Sequence, residues 1–242
     1  MIVFPMLGKS SRFFDSGYQV PKYELPLGKK SLFARSVNSF DSLFESAPFL
    51  FLVRKDYGGK RFVLNQLLEL NIKDARIIEF DGNTSGQAES VFNGLVDYEA
   101  EVPLLIFNTD TIRENFIMPN SDQLGAGFLE VFHGEGENWS FVEPLSGNLV
   151  ARTTEKERIS DLCSNGIYGF ASIQLFRDAY LDSLRHRSGE SYVAPLFNYL
   201  IINGYRVNFR VVDPNLIHHC GIPSDYEKNK QFFQNLERGA SG

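Results

Sequence analysis

The sequence predicts an α/β protein with a mostly parallel central sheet in its first half and a mixed extension in its second half. From residue 2 to residue 107, apolar runs typical of buried strands alternate with helical patterns. From residue 127, short strand-like pieces separated by Gly, Asn and Ser replace that alternation. Alternating strands and helices imply parallel strands joined by right-handed crossovers.

Each element of the first half has its own signal. Continuous apolar runs predict strands, and apolar residues at helical spacing predict helices. Ser31 can accept a hydrogen bond as the cap of the first helix, and the Asn71 region ends the second. The predicted strands are 2–6, 49–53, 76–80 and 103–107, and the predicted helices are 31–44, 64–71 and 87–96.

The second half predicts a mixed or antiparallel extension, because its strand-like pieces are short and separated by turn residues. Ser224 is the predicted cap of the last helix, and 239–242 is a predicted frayed end. The predicted strands are 127–133, 139–143, 149–153, 166–171 and 206–212, and the predicted helices are 173–184, 193–203 and 224–236. Since the sequence contains no linker or repeat, one domain is expected over 1–242, with a nucleotide-binding half (1–125) and an acceptor-binding half (126–242).

Composition restricts the class of protein. The 242 residues are 43% hydrophobic, which is enough for one core, and the net charge of −6 argues against binding nucleic acid through the overall field. Cys163 and Cys220 form no C-x-x-C pair, so neither a disulfide framework nor a zinc site is expected. No signal peptide and no apolar run near the roughly 20 residues of a membrane helix is present. The sequence predicts a cytoplasmic protein without membrane insertion.

The stretch after the first strand predicts an anion site. Small residues there leave backbone N–H groups open, and cations stand among and after them. In open α/β sheets, nucleotides bind at such strand ends. The alternative is an ordinary loop with solvated basic residues, and the Walker pattern is absent. The residues of this candidate site are Leu7, Gly8, Lys9, Ser10, Ser11, Arg12 and, after Pro21, Lys22.

With its strand, glycine, arginine and Pro-Lys in that order, this stretch resembles the amino terminus of the sugar-phosphate nucleotidylyltransferases. These enzymes join a nucleoside triphosphate to a phosphorylated sugar and release pyrophosphate. Ser10 stands where that family has a second glycine. The resemblance implies the Rossmann-like nucleotide-diphospho-sugar transferase fold. It also implies that residues 7–11 bind the phosphates and that Arg12 and Lys22 are catalytic.

A second segment, 84–89, opens the helix after the third strand. A carboxamide can pair with the edge of a base through one donor and one acceptor, and a glycine lets a base lie against the backbone. The family resemblance makes Gln87 the base-reading residue and Gly86 its neighbour. The alternative is plain capping of the helix by Thr84 or Ser85.

Asp110 follows the fourth strand and is the candidate metal ligand. A carboxylate at this place can hold Mg²⁺ against a phosphate, since Mg²⁺ often takes only one or two protein carboxylates. The resemblance implies the same role, with Asn108 among the nucleotide-binding residues. The alternative is an Asx turn that closes the loop.

The family's second metal aspartate precedes a Gly-Thr-Pro turn, and here His219 stands at that place, before Gly221 and Pro223. Three options remain open: one carboxylate suffices, Asp225 or Asp213 substitutes, or the site holds a different metal. By itself the His218-His219 pair is more typical of a surface or hydrogen-bonded pair than of a metal site.

On the acceptor side, the resemblance implies that Lys156 is catalytic and faces the acceptor phosphate, and that 165–168 line the sugar pocket. Glu155 could bind hydroxyls, although 155–158 alone would be a solvated charge run. We interpret 190–192 as a capped helix start rather than an acceptor cluster. Trp139 is predicted to be a buried core residue rather than a ligand-stacking one.

The sequence therefore predicts a nucleotidylyltransferase that joins a nucleoside triphosphate to a phosphorylated sugar or alcohol, by direct in-line attack and without a covalent intermediate. The resemblance also implies a role in capsule or surface-glycan synthesis. A glycosyltransferase of related fold and a non-catalytic nucleotide-binding protein remain as alternatives. Homo-oligomerisation stays open.

Overall fold

A computed structural model describes residues 1–186 and 189–239. The strands are β1 (Ile2–Met6), β2 (Pro26–Leu27), β3 (Lys30–Ser31), β4 (Phe49–Arg54), β5 (Ala75–Phe80), β6 (Leu104–Ile106), β7 (Thr111–Arg113), β8 (Gly127–His133), β9 (Ser140–Pro144), β10 (Val150–Glu155), β11 (Leu162–Phe170), β12 (Val207–Val211) and β13 (Ile217–His219). The helices are α1 (Ser11–Asp15), α2 (Leu32–Asn38), α3 (Gly59–Leu70), α4 (Gln87–Gly94), α5 (Ser121–Leu124), α6 (Ile173–Ser183), α7 (Phe197–Ile202) and α8 (Pro223–Gly239). Short 3₁₀ turns lie at Lys22–Glu24, Asp41–Leu43, Ala194–Leu196 and Pro214–Leu216.

The central sheet has a parallel half and a mixed half, as predicted. Within the described residues its order is β10-β9-β11-β6-β1-β4-β5, and β8 pairs with both β11 and β12. The strands β6, β1, β4 and β5 run parallel, whereas β11 is antiparallel to β6, β8 and β9. The first half of the chain therefore builds the parallel part, and the second half adds the mixed extension.

The inner parallel strands β1, β4 and β6 are buried on both faces, which explains their apolar runs, whereas β5 at the edge of the sheet is only partly buried. Val3 of β1 packs with α4 and α6 on one face of the sheet, whereas Phe4 packs with α2 and α3 on the other. Phe4 stacks on Phe51 of the neighbouring strand, with ring centroids 5.2 Å apart. Two hydrophobic layers thus hold the carboxyl ends of these strands in fixed positions.

Most predicted helix boundaries are confirmed, with differences at the ends. The Ser31 hydroxyl accepts from the Ala34 N–H at 3.0 Å, but α2 ends at Asn38 and a 3₁₀ turn follows. Asn71 ends α3 with φ at 57°. The prediction that Ser224 caps α8 is wrong, because the helix already begins at Pro223. Of the predicted frayed end, 240–242 lie outside the described residues.

A short ribbon outside the main sheet was not predicted. In it β13 pairs antiparallel with β7, with His219 opposite Thr111. The Cys220 N–H then donates to the Asp110 carbonyl oxygen at 2.7 Å. The ribbon therefore brings the segment before α8 to the candidate metal ligand. Among the described residues, no helix combines the length and the apolar character needed to cross a membrane.

Candidate active site

Two adjoining cavities lie at the carboxyl ends of β1 and β6. The loop cavity, of about 410 Å³, is lined mainly by 5–10, 83–87 and 108–110. The extension cavity, of about 520 Å³, is lined mainly by 135–140, 164–166 and 219–225. The residues that line both cavities are Lys22, Gln87, Asn108, Asp110 and Glu190. These shared residues form a junction between two compartments of one cleft.

The loop after β1 lines the loop cavity, as expected for an anion site. A Cβ built on Gly8 would meet no atom within 4 Å, so the backbone there is open. Ser10 adopts the left-handed conformation, with φ at 53°, which favours glycine. Its hydroxyl accepts from the Lys22 N–H at 3.1 Å and ties the loop to the Pro-Lys segment.

Not every predicted residue of this loop reaches the loop cavity. Leu7 and Lys9 line it, whereas Ser11 begins α1, is exposed and lies outside the lining of both cavities. Arg12 is also exposed, and it lines the extension cavity. Arg12 and Gly8 therefore line different cavities of the cleft.

Arg54 supports the loop cavity and was missed by the sequence analysis. It ends β4, is only 7% exposed, and donates to the Asn83 side-chain oxygen at 2.8 Å. It also bonds Asp56 and the Leu7 carbonyl oxygen. The sequence signal that could have identified it is an arginine directly after the predicted strand 49–53, because residues at the carboxyl end of a parallel strand face the cleft.

Lys22 and Asp110 form an ion pair at the junction, with Nζ and Oδ2 2.6 Å apart. Burial in the cleft opposes ionisation of Asp110, but the charge and the hydrogen bond of Lys22 outweigh it and lower the pKa of the carboxyl. Asp110 therefore carries a negative charge at neutral pH.

Gln87 is held in place by the chain itself. Its side-chain amide donates to the Asn108 side-chain oxygen, and the Asn108 carbonyl accepts from Ser36 at 3.0 Å. Gly166, whose φ is 92°, lies against the Asn108 side chain, and a Cβ at Gly166 would be 2.8 Å from the Asn108 amide nitrogen. The two predicted nucleotide-binding side chains are thus oriented before any ligand arrives.

Gly86 has a packing role that the sequence did not reveal. Its φ is 153°, and a Cβ would lie 2.5 Å from the Ser191 carbonyl oxygen. That carbonyl accepts from the Ala88 N–H at 2.9 Å. Neither Thr84 nor Ser85 caps α4, because its cap residue is Gly86. The capping alternative for this segment is therefore wrong, although Gly86 also lines the loop cavity.

The interpretation of 190–192 as a helix cap is also wrong. The following 3₁₀ turn begins after Val193 without a side-chain cap. Instead Glu190 and Tyr192 line the extension cavity, and the Tyr192 hydroxyl donates to Glu190. This segment therefore forms a wall of the cleft.

Lys156 lies behind that wall. Its ammonium donates to the Tyr192 hydroxyl and sits 4.6 Å from the centre of the Tyr192 ring. The hydrogen bond to Tyr192 raises the pKa of Lys156. The residue lines a separate cavity on the far side of Tyr192 and is not part of the extension-cavity lining. The structure therefore does not bring Lys156 to Lys22 and Arg12.

Trp139 is not the buried core residue that the sequence predicts. It is half-buried and lines the extension cavity, with its ring 4.7 Å from that of His219. Its indole N–H donates to the Glu135 carbonyl at 2.9 Å. The short strand-like pattern around it could not show that the ring faces a cleft.

The two histidines differ. His218 bonds Glu114 at 2.9 Å and stacks on Phe232, so the expectation of a hydrogen-bonded histidine is confirmed for this residue alone. His219 lines the extension cavity, and burial lowers its pKa to about 4, so it is neutral. Asp225 lines the same cavity, whereas Asp213 caps a 3₁₀ turn.

The polar groups at the junction determine whether a magnesium ion fits there. Within the described ranges, no three His, Cys, Asp or Glu residues converge as a metal cluster. Asp110 offers one charged oxygen at the junction, and the neutral imidazole of His219 stands where the resemblance places a second carboxylate. Because Mg²⁺ takes oxygen ligands and is often completed by substrate phosphates and water, this set fits an ion that arrives with a nucleotide.

A buried ionic network lies beneath the extension cavity and was missed. Glu130 of β8 is fully buried and accepts from Arg113 at 2.8 Å and from Arg210 at 2.5 Å. It also accepts from the Asn165 amide at 2.8 Å. The Asn165 side-chain oxygen accepts from the Ile167 N–H at 3.1 Å, where the register of β11 shifts. Glu130 therefore fixes the position of β11, whose residues 164–166 line the extension cavity.

This geometry has a close relative among solved structures. A nucleoside-diphosphate-sugar pyrophosphorylase from Vibrio cholerae RC9 is 42% identical over 96% of this chain and all of its own, with a TM-score of 0.90. The chain belongs to the nucleoside-diphosphate-sugar pyrophosphorylase family. It is therefore a nucleotidyltransferase, as the resemblance implied, and the glycosyltransferase alternative is not supported.

More distant pyrophosphorylases and transferases show the same fold. An inositol-1-phosphate CTP transferase from T. maritima is 14% identical, with a TM-score of 0.73, over 96% of this chain and 95% of its own. A UDP-glucose pyrophosphorylase complexed with UDP-glucose is 11% identical, with a TM-score of 0.74, over 97% and 98%. No protein-family model and no curated protein matches the chain. Proteins named for CTP and for UDP-glucose thus share the nucleotide-diphospho-sugar transferase fold with this chain.

Proposed function

We propose that this pyrophosphorylase-family chain joins a nucleoside triphosphate to a sugar 1-phosphate, or to a related phosphorylated alcohol, and releases pyrophosphate. The observation that carries the proposal is the junction, where Lys22 and Asp110 belong to both cavities. Transfer between two phosphorylated substrates requires two compartments that meet at the reacting phosphorus. The loop cavity would take the nucleotide and the extension cavity the acceptor.

The reaction is a direct displacement. An oxygen of the acceptor phosphate attacks the α-phosphorus, a new P–O bond forms, and the bond to the β-phosphate oxygen breaks as pyrophosphate leaves. The open backbone at Gly8 and the Lys22 ammonium would bind the phosphates and neutralise the charge that develops on the leaving group. Arg12, across the junction, would orient the same phosphates through its planar fork.

On the nucleotide side, the fixed amides of Gln87 and Asn108 would contact the base and ribose. Their mutual hydrogen bond leaves the Gln87 side-chain oxygen free to accept and a hydrogen of the Asn108 amide free to donate. Because both groups are held before binding, little conformational entropy is lost when the nucleotide enters.

We propose Mg²⁺ as the cofactor, held by Asp110 and otherwise by phosphate and water oxygens. The ion would supply positive charge that offsets the repulsion between the two anionic substrates. The Lys22–Asp110 pair holds the carboxylate ionised and directed at the junction in the meantime.

The test is turnover with defined substrates. Incubation of the protein with each common nucleoside triphosphate, a panel of sugar 1-phosphates and phospho-alcohols, and Mg²⁺ should release pyrophosphate with one nucleotide preferred. A thermal-shift screen should show that the same nucleotide raises the melting temperature, since a ligand that binds the native state stabilises it. Binding without turnover over the whole panel would instead support a non-catalytic role.

We further propose that the product serves surface-glycan synthesis from the cytoplasm. The support is the family resemblance and two cysteines, Cys163 and Cys220, that are buried as free thiols. Deletion of the gene followed by composition analysis of the surface polysaccharide tests it, and an unchanged composition contradicts it.

A further inference from the structure

We propose that the acceptor of this enzyme carries a positively charged amine in addition to its phosphate. The inference rests on the proposed function and deepens it by naming the acceptor class. It covers an amino sugar and an amino alcohol alike, because both present an ammonium group to the protein.

The first support is the charge of the extension cavity. Of the described residues that line it, six carry carboxylates and two, Arg12 and Lys22, carry cations. Once the Lys22–Asp110 ion pair is set aside, five carboxylates face one guanidinium. The carboxylates that remain are Glu135, Glu137, Glu155, Glu190 and Asp225.

That balance is unsuited to an acceptor whose only charge is a phosphate. A phosphate monoester brings further negative charge into a cavity that is already acidic, and in a partly desolvated site like charges repel strongly. An ammonium group on the same molecule would reverse the sign of this interaction. The loop cavity offers a contrast, because Lys9 and Lys22 there match Asp110 and Glu190.

The second support is the aromatic lining. Trp139, Tyr168 and Tyr192 line the same cavity as the carboxylates. Ring faces attract cations, and the combination of aromatic rings with carboxylates is the arrangement that recognises an ammonium group.

Glu155 is the carboxylate that this geometry assigns to the amine. It ends β10 and is partly buried, and it accepts from the Ser140 hydroxyl, which also lies 3.1 Å from the Tyr168 hydroxyl. Burial raises the pKa of Glu155, and the charge of the neighbouring Lys156, whose ammonium donates its hydrogen bond to Tyr192, acts in the opposite direction. Glu155 therefore presents a carboxylate among polar and aromatic groups at the floor of the cavity.

The experiment compares acceptors that differ only in the charge. Glucosamine 1-phosphate is paired with glucose 1-phosphate, and phosphocholine with its neutral isostere 3,3-dimethylbutyl phosphate. With the preferred nucleotide and Mg²⁺, we expect the charged member of at least one pair to have a kcat/KM at least about tenfold higher. Which pair shows the preference distinguishes an amino sugar from an amino alcohol.

Two variants test the assignment of the residue. Glu155→Gln should remove most of the preference for the charged member. Glu143→Gln should retain it, because Glu143 lies on the same β9–β10 hairpin but pairs with Arg152 at the surface. If Glu155→Gln does not fold, Trp139→Leu replaces it, and the same loss of preference is expected.

Several outcomes overturn the inference. It fails if the neutral member of both pairs is used as well as the charged one, or if Glu155→Gln keeps the full preference. If no acceptor of either kind yields pyrophosphate, the proposed function fails. Isothermal titration calorimetry of the same compounds then tests the inference separately. The inference requires that the charged member of at least one pair binds at least about tenfold tighter than its neutral partner. Equal dissociation constants within both pairs refute the inference.

Discussion

The two cavities of this enzyme are built in different ways. The loop cavity is lined mainly by segments that directly follow β1, β5 and β6, so the parallel sheet brings most of its residues together. The extension cavity takes its lining from β9, β10, β11, β13 and the segment 190–193, which are joined by antiparallel and long-range pairing. The comparison teaches that a strand-end site is determined by local pattern, whereas the acceptor side depends on contacts between distant parts of the chain.

The cavities also differ in what holds them. The loop cavity is shaped mainly by its backbone, through the open loop at Gly8 and the approach of Gly86 to Ser191, although Arg54 also supports it through its bond to Asn83. Side-chain charge supports the extension cavity, through the buried Glu130 network beneath β11. Substitutions that remove charge should therefore affect stability mainly on the acceptor side and turnover mainly at the junction.

The largest expected effect is on stability, from Glu130→Gln. Removal of this charge leaves Arg113 and Arg210 without their buried counter-ion, which should lower the free energy of unfolding by about 3 kcal/mol or more. Urea denaturation measures it. Glu143→Gln, which removes an exposed pair with Arg152, is the control and should cost less than about 1 kcal/mol. Equal costs for the two substitutions would mean that the extension does not depend on the buried network.

The next effect is on turnover, from Asp110→Asn. The substitution removes the negative charge at the junction, and pyrophosphate release should fall by about 10²- to 10³-fold in kcat. The melting temperature should fall as well, because Lys22 loses its counter-ion. Asp122→Asn, an exposed aspartate on α5, is the matched control and should leave the rate unaltered. Full activity of the Asp110 variant would contradict the proposal that Asp110 holds the metal ion and that the reaction takes place at the junction.

Arg12→Ala should have a smaller effect that shows which compartment this residue serves. It lines the extension cavity, yet we expect it to bind phosphates of the nucleotide, so the KM for the nucleoside triphosphate should rise about tenfold. Initial rates at varied nucleotide and acceptor concentrations measure both constants. Lys29→Ala, which removes an exposed cation outside the lining of both cavities, is the control and should change neither constant. A rise in the acceptor KM alone would assign Arg12 to the acceptor.

The difference between the cavities also explains how far the sequence could be interpreted. The strands 2–6, 49–53 and 76–80 were predicted nearly to the residue. Burial on both faces explains the apolar runs of the first two, whereas 76–80 lies at the edge of the sheet, is only partly buried and includes Arg76 and Glu79. Asp110 and Lys22 lie in one cleft, as expected. Asp110 was expected there from its strand-end position, and Lys22 from the Pro-Lys element of the family resemblance. The left-handed conformation of Ser10 could be inferred only from the family pattern, which has a glycine at this position.

What the sequence could not show depends on pairing at long range. The ribbon of β7 and β13 joins residues about a hundred positions apart, and nothing local in 217–219 indicates its partner. Trp139 and Tyr192 were misinterpreted for the same reason, because exposure to a cleft is decided by strands far away in sequence. The partners of Glu130 come from three different elements, so its apolar surroundings in 127–133 gave no sign of an ionic network.

The smallest expected effect is a pH dependence of stability through His219. Burial lowers its pKa to about 4, whereas the unfolded chain has a pKa near 6.5, so the unfolded state binds the proton more readily between these values. Stability from this residue is therefore complete above pH 6.5 and is lost as the pH falls toward 4. Between pH 7.5 and 5.5 the loss should be about 1 kcal/mol, with allowance for partial exposure. Urea denaturation at both values should show a smaller loss in His219→Asn. An equal loss in the two proteins would mean that the His219 imidazole is as solvated as in the unfolded chain, and the wall beside Trp139 would then be open to water.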